Sequence, residues 1–151
     1  AFLYLGSVLP FWKKDMTSEG PKIVEIGARL GGDNITTHLV PFSTGVNMVE
    51  CCIKIALGEQ PDIKQKWKRG SAIRYLPQHT GIIKCITGLK EARLVKGIQQ
   101  ISIIHGVGEK VTEINSSAAR IGFVIAQAED AERAVQSCYR ALRKIDIKIE
   151  E

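Results

Sequence analysis

The sequence is poor in aromatic residues, and it has no long apolar run of the kind that spans a membrane. Aromatic residues make up 6% of the 151 residues, and Trp12 and Trp67 are too isolated to form a stacking platform for nucleic-acid bases. The apolar run at the start ends by about Pro10, which is too short to cross a membrane, and it lacks the basic leader of a signal peptide. The sequence therefore argues against a membrane protein and a secreted one.

Cysteine pairs and concentrated charge are lacking as well. The four cysteines show no CxxC pair and no Cys/His metal spacing, so we expect free thiols in a reducing cytoplasm. The net charge is +5, and its one dense basic stretch, residues 64–69, contains a single tryptophan. A nucleic-acid-binding surface usually shows a denser basic stripe with interleaved aromatics. We interpret the stretch as a solvated linker and expect neither a nucleic-acid nor a membrane partner.

The composition, with 44% apolar and 25% charged residues, is typical of a globular protein with a real core. Apolar periodicity predicts a helix over residues 44–57, capped by Ser43 or Thr44. Its predicted buried face consists of Val46, Val49, Ile53 and Ala56. The polar stretch that follows predicts a domain boundary. It divides the chain into a first domain at residues 1–60, a linker at residues 61–70, and a small second domain at residues 71–151.

The second half alternates short strands and turns, which predicts an α+β fold with an antiparallel sheet. The predicted helix at residues 130–144 begins with acidic and ends with basic side chains, as the helix dipole favours. The turn between His105 and Lys110 lacks the spacing of a phosphate-binding loop, so we predict a hairpin turn there. The predicted strands are residues 72–76, 81–87, 99–105, 109–114, 121–127 and 145–150.

The residues with chemical potential lie at a predicted strand, residues 22–29, and the loop that follows it. Alternation along the strand places Glu25, Gly27 and Arg29 on one face and apolar residues on the other. Glu25 and Arg29 are about 13 Å apart along the strand, which suits the two ends of one long ligand better than a mutual ion pair. Gly31 and Gly32 follow, and glycines let an anion approach the backbone amides. The alternative is an ordinary Glu and Arg on the solvent-facing side of an edge strand.

Residues 20–33 resemble the last strand of the ATP-grasp large lobe, a hydrophobic strand carrying Glu-x-Asn-x-Arg before a glycine-rich loop. The segments Thr44-Gly-Val-Asn-Met-Val-Glu50 and Ala56-Leu-Gly58 match the family's next helix. Residues 71–151 resemble, more loosely, the small C-terminal domain of L-amino-acid ligases and related carboxylate–amine ligases. The resemblance implies an α+β chain that combines the remnant of the large lobe with this small domain.

The resemblance also implies a reaction and its cofactors, ATP and Mg²⁺. In such ligases ATP phosphorylates a substrate carboxylate, and an amine attacks the acyl phosphate to form an amide or peptide bond. By resemblance, Glu25 ligates Mg²⁺ and bridges it to the ATP phosphates, and Arg29 is the catalytic residue that stabilises the acyl phosphate and the tetrahedral intermediate. Gly31 and Gly32 bring backbone donors to the carboxylate or phosphoryl group.

The sequence departs from the family pattern at two metal positions. Gly27 stands where the family has an asparagine ligand, and Lys13 stands near the register of a second glutamate ligand, with Asp15 as the nearest acid. The nucleotide-binding lysines and the glycine-rich flap of the family lie upstream of anything in this chain. We therefore expect a C-terminal fragment that is inactive alone.

Two alternatives remain open at this stage. One is a non-catalytic binding or oligomerisation module, whose sheet edges would pair with a second copy to give a homodimer. The other is a different ATP-grasp enzyme, such as a biotin-carboxylase-like or purine-pathway ligase. His38 lies just after the glycine loop and is a further candidate for a substrate contact.

Overall fold

The structure, a computed structural model, describes residues 29–150. The predicted strand at residues 22–29 lies outside this range apart from its last residue. The same holds for Lys13, Asp15, Glu25 and Gly27, so their predicted roles stay predictions.

Two three-stranded antiparallel sheets form the framework of the described residues. The first sheet has the order β1-β5-β3, formed by Gly70–Tyr75 (β1), Gly122–Ala128 (β5) and Ile98–Ile103 (β3). The second has the order β4-β2-β6, formed by Lys110–Val111 (β4), Gly81–Thr87 (β2) and Asp146–Glu150 (β6). The predicted α+β class with antiparallel sheet is confirmed.

The helices are short, and the longest is the one with the clearest pattern. They comprise a π-helical turn at Ile35–Leu39 that runs directly into Val40–Thr44 (α1), then Met48–Ala56 (α2), Leu89–Arg93 (α3) and Ala131–Leu142 (α4). A 3-10 turn occupies Ser117–Ala119. The side chain of Asp130 caps α4 by accepting a hydrogen bond from the Arg133 amide.

The strand predictions hold well, with one exception. β2 has the predicted bounds, and four other strands lie within one or two residues of them. β4, however, covers only two residues of the segment predicted at 109–114. The reason is local: the Thr112 carbonyl accepts a hydrogen bond from the Gln78 side chain, at 3.0 Å, and the chain turns away after the buried Val111.

The predicted cap of the helix at residues 44–57 is wrong. α1 ends at Thr44 and is followed by Gly45, which adopts a left-handed φ of 78°, and a separate helix then begins at Met48. Asn47 caps it, because its side chain accepts a hydrogen bond from the Glu50 amide at 3.2 Å. Ser43 belongs to α1 instead, where its hydroxyl donates to the Leu39 carbonyl at 2.8 Å.

The buried face of α2 also differs from the prediction. Val46 is buried as expected, but within α2 the buried residues are Met48 and Cys51. Ile53 is 56% exposed. The helix begins later than predicted and packs mainly around Val40, so residues nearer its end have no apolar surface to cover among the described residues.

Strand β5 lies at the centre of the described fold, with helical structure on both faces of its sheet. On one face, α4 packs its buried alanines and Cys138 against β1 and β5. On the other, the segment 35–44 places Leu39 against Phe123 and Ile125. Because both faces of β5 are buried, its sequence is almost continuously apolar. The packing of segment 35–44 on β5 also fixes the position of the loop before it.

Residues 61–70 are predicted as a linker, and in the structure several of them are hydrogen-bonded to α1. The amide of Lys66 donates to the Thr44 carbonyl at 2.8 Å, and that of Arg69 to Ser43 at 3.0 Å. The indole of Trp67 donates to the Phe42 carbonyl at 2.9 Å. The division of the chain at this stretch stays a prediction.

No single helix among the described residues is long and apolar enough to cross a membrane. The helical segment 35–44 and α2 are together long and apolar enough, but the chain bends by 112° at the junction between them.

Candidate functional site

The loop between Arg29 and Asn34 is the part of the predicted site that the structure describes. Arg29 is exposed, and its Nη1 donates to the carbonyl of Leu30 at 3.2 Å. A turn then closes the loop, because the Ile35 amide donates to the Gly32 carbonyl at 2.9 Å. The Thr36 hydroxyl donates to the Gly31 carbonyl at 3.0 Å. The carbonyls of Gly31 and Gly32 therefore accept hydrogen bonds from the first residues of the π-helical turn.

The glycine loop is exposed, and it has free space at the side-chain position of Gly32. A Cβ added at Gly32 would meet no atom within 4 Å, and one at Gly31 would approach the Thr36 hydroxyl to 3.3 Å. Both glycines are exposed. Within residues 29–150, neither glycine amide donates a hydrogen bond to another described residue. A ligand oxygen can approach this backbone, which is the property that the predicted role requires; the role itself stays a prediction.

Asp33, which closes the loop, forms an ion pair with Arg120 from the second half of the chain. Its Oδ1 lies 3.1 Å from Nη1 of Arg120. The pKa of Asp33 is lowered, most strongly by a hydrogen bond from Ser117 and then by Arg120 and Tyr75, while partial burial acts in the opposite direction. The carboxylate is thus stabilised in its charged form.

Tyr75 supports the same cluster from β1. The Arg120 guanidinium carbon lies 3.8 Å from the centre of the Tyr75 ring, within the range of a cation–π contact. Burial raises the pKa of Tyr75, as does the nearby charge of Asp33, whereas Arg120 opposes this shift. Tyr75 therefore keeps its proton and presents a neutral ring and hydroxyl to the cluster.

The backbone at the end of the loop is unusual. Asp33 and Asn34 both adopt left-handed φ values, 50° and 62°. Residues other than glycine rarely do so, although Asp and Asn tolerate this region best. Two such residues in succession turn the chain sharply into the π-helical turn, and they lie between Gly32 and Ile35, whose backbone hydrogen bond closes the loop.

His38, the further candidate for a substrate contact, lies in the π-helical turn after the loop. Its Nδ1 is 2.8 Å from the Thr37 hydroxyl, and its ring centre is 6.1 Å from that of Phe42, tilted by 55°. The ring is half-buried. Its proposed contact with a substrate stays a prediction.

The turn from His105 to Lys110 is not a hairpin. β3 pairs with β5 and β4 pairs with β2, so the turn joins two different sheets. It runs beside β2 because the Gly108 amide donates to the Ile83 carbonyl at 2.7 Å. His105 braces it, with Nδ1 2.9 Å from Oε2 of Glu109 and Nε2 2.9 Å from the Ala118 carbonyl.

This geometry predicts a pH-dependent stability. Both partners of His105 are acceptors, so only the protonated ring donates to both, and the Ala118 carbonyl followed by Glu109 raises the pKa of His105 above its usual value. A raised folded pKa adds stability that is complete below the unfolded pKa of about 6.5 and is lost as the pH rises through the folded value. Melting temperatures from pH 5.5 to 9 should show this loss.

The matched control is His105→Gln, which removes the titration and should flatten that part of the profile. His79→Gln, at an exposed histidine whose Nδ1 lies 3.2 Å from the Thr80 carbonyl oxygen, should leave the profile as in the wild type. Equal profiles for the wild type and His105→Gln would show that His105 does not carry this pH dependence.

The described residues offer no ready metal centre. Within residues 29–150, no group of three or more His, Cys, Asp or Glu side chains is arranged to hold a metal ion. All four cysteines, which fall in this range, are free thiols, and burial raises the pKa of Cys138 to about 11. The predicted ligand Glu25 lies outside the described residues.

Comparisons with solved structures agree on the fold, which is similar to the C-terminal region of ATP-grasp ligases. The L-amino acid ligase from Bacillus licheniformis matches with a TM-score of 0.71 and 21% identity, over 87% of this chain and 33% of that one. Phosphoribosylglycinamide synthetase from Anaerococcus prevotii matches with a TM-score of 0.65 and 19% identity, over 78% and 31%.

The sequence comparisons identify the family. Residues 74–150 match the model of the L-amino acid ligase C-terminal domain 2, and the chain belongs to this family. An uncharacterized protein, y4rH from Sinorhizobium fredii (strain NBRC 101917 / NGR234), is 28% identical over 134 residues, 88% of this chain. The chain spans 28% of the length of that relative and about a third of each of the two solved ligases. The predicted resemblance to ATP-grasp carboxylate–amine ligases is confirmed.

Proposed function

We propose that the complete protein carrying this chain is an ATP-dependent carboxylate–amine ligase that forms amide or peptide bonds. The observation that carries the proposal is the family match at residues 74–150, joined in one chain to an exposed Gly31–Gly32 loop whose amides donate to no described residue. The family description names L-amino acids, so amino acids are the proposed substrates for both the carboxylate and the amine.

The chemistry assigned to this chain is the stabilisation of negative charge. ATP supplies the phosphoryl group that activates the substrate carboxylate, with Mg²⁺ bound to its phosphates. The exposed guanidinium of Arg29 is proposed to balance the charge of the acyl phosphate and then of the tetrahedral intermediate. The amides of Gly31 and Gly32 are proposed to donate to the substrate carboxylate or to the phosphoryl group.

The proposed role of Glu25 in binding Mg²⁺ rests on the resemblance alone. The described residues provide no cluster of metal ligands, so no step is assigned to a metal held by residues 29–150. The chain spans only about a third of the solved ligases that it resembles. We therefore assign the nucleotide-binding elements to the rest of the complete protein and expect no ATP turnover from the 151 residues alone.

The test is an activity assay on the purified complete protein with MgATP and a pool of L-amino acids. We expect release of ADP and phosphate together with dipeptides that mass spectrometry detects, and trapping of the activated carboxylate as a hydroxamate when hydroxylamine replaces the amine. The isolated chain serves as the control and should be inactive. Release of AMP and pyrophosphate would refute the proposal. A rate of ATP hydrolysis that does not depend on the carboxylate substrate would also refute it.

A further inference from the structure

Arg120 links the small domain to the glycine loop, and we propose that it is a positioning residue for that loop. It acts through Asp33 and does not itself contact the substrate. The inference deepens the proposed function, since it says how the Arg29–Gly32 segment keeps its geometry. The contacts that support the role of Arg120 join described residues. Their effect on the loop can be tested without any ligase activity.

Arg120 makes two different contacts on two sides of its guanidinium group. One face stacks on the Tyr75 ring, 3.8 Å from ring centre to guanidinium carbon. Its edge is turned to Asp33, with Nη1 3.1 Å from Oδ1. The Arg120 side chain is only 21% exposed, so its position is set by packing as well as by charge.

Tyr75 gives this contact a rigid base. It belongs to β1, which pairs along its whole length with the buried central strand β5. Its side chain packs with the cluster of Leu39, Phe123 and Ile125. Arg120 directly precedes the fully buried Ile121, which anchors its own backbone. The guanidinium group therefore extends from a fixed framework towards the loop.

The loop needs such a contact because its backbone is unfavourable. Asp33 and Asn34 both occupy the left-handed region, which surrounding structure must hold in place. The turn hydrogen bond from Ile35 to Gly32 depends on this conformation. Without Arg120, the Asp33 side chain loses its ion pair, and the loop is free to relax towards ordinary backbone angles.

The consequence reaches the proposed catalytic segment. Gly31 and Gly32 immediately precede Asp33, and Arg29 lies two residues before them, so a change at Asp33 moves all three. Small displacements of catalytic groups lower turnover strongly. The link also explains how a side chain far away in the sequence can control the site without touching its ligands.

The first test is amide hydrogen exchange on the full 151-residue chain. In Arg120→Gln we expect the Ile35 amide, which bonds to Gly32, to exchange about tenfold faster. The Gln127 amide, bonded to Gly97 at 2.8 Å, should keep its rate. Asp33→Asn should give the same result as Arg120→Gln, and the double variant should add nothing further. Arg120→Lys, which keeps the charge but not the planar group that stacks on Tyr75, should restore only part of the protection.

Arg133→Gln is the matched control, because Arg133 also pairs with two carboxylates, Glu129 and Asp130, but on the exposed start of α4. It should leave the Ile35 amide unchanged. An unchanged Ile35 amide in Arg120→Gln would overturn the proposal. Equal acceleration at Ile35 and Gln127 would also overturn it, since it would show a general loss of stability rather than the release of one loop.

The second test uses the complete protein. Arg120→Gln should lower kcat for amide formation by about 10- to 100-fold and leave the KM for ATP unchanged, with partial recovery in Arg120→Lys. A raised KM for the carboxylate without faster exchange at Ile35 would mean that Arg120 binds substrate, which contradicts the proposal. If the wild-type protein forms no amide, the proposed function fails, while the exchange experiment still decides the role of Arg120.

Discussion

Replacing Arg29 by alanine in the complete protein is expected to lower kcat for amide formation by roughly 100- to 1,000-fold. The removal of one preorganised donor to a developing oxyanion has an effect of this size in other enzymes. Folding should not suffer, because Arg29 is exposed and its described hydrogen bond goes only to the neighbouring Leu30 carbonyl. Surface substitutions of this kind change the free energy of unfolding by about 0.5 kcal/mol or less.

The measurement is steady-state dipeptide formation, together with a melting curve for each variant. Arg143→Ala removes another exposed arginine, at the end of α4 and outside the proposed site, and should keep wild-type turnover. Arg29→Lys should recover little, because lysine cannot reproduce the planar, two-pronged donor of arginine. Turnover near the wild-type rate in Arg29→Ala would show that the proposed role of Arg29 is wrong.

Replacing Gly88 by alanine should lower the free energy of unfolding by about 3 kcal/mol or more. Gly88 joins β2 to α3 with a left-handed φ of 76°. A Cβ there would lie 1.7 Å from the carbonyl oxygen of Lys144, a backbone atom just beyond α4. The backbone atom cannot rotate away as a side chain can, so two packed segments must separate. Urea denaturation followed by circular dichroism measures the effect.

Gly106→Ala provides the control for this prediction. A Cβ at Gly106 meets no atom within 4 Å, and its φ lies outside the left-handed region. We expect its unfolding midpoint to stay close to that of the wild type. A Gly88→Ala protein as stable as Gly106→Ala would mean that the close approach of Gly88 to Lys144 is wrong.

The strands and α4 were predictable because their patterns match how they are buried. β6 alternates between exposed and half-buried residues, and β5 is almost continuously apolar because helical segments cover both of its sides. α4 has one apolar stripe and an acidic cap. The segment 35–44 was missed because its helical content depends on packing against Phe123 and Ile125, which no local pattern reveals.

For the helix predicted at residues 44–57, the cap and the buried face were wrong for a similar reason. Apolar residues at helical spacing can be grouped into more than one plausible buried face. Which face is actually buried depends on the residue at which the helix begins. Gly45 adopts a left-handed backbone and Asn47 provides the cap, so α2 starts later. Gly45 was the available signal, since glycine after a short helical pattern often marks its end.

The candidate site was predictable in part from the sequence. The motif from Glu25 to Gly32 identified the segment and its family, and the family is confirmed. The roles of Arg29, Gly31 and Gly32 stay predictions. Arg120 and Tyr75 were not foreseen as partners of Asp33, because they lie far along the chain with no motif of their own. Only the pairing of β1 with β5 and the packing of segment 35–44 bring them to the loop.

The proposed acyl phosphate is tested most directly with a substrate carboxylate labelled with ¹⁸O in the complete protein. Transfer of the phosphoryl group of ATP joins phosphorus to a carboxylate oxygen, and attack by the amine then breaks the bond between that oxygen and the carbonyl carbon. Each turnover should therefore leave one ¹⁸O atom in the inorganic phosphate. Unlabelled phosphate, or label in AMP, would contradict the account.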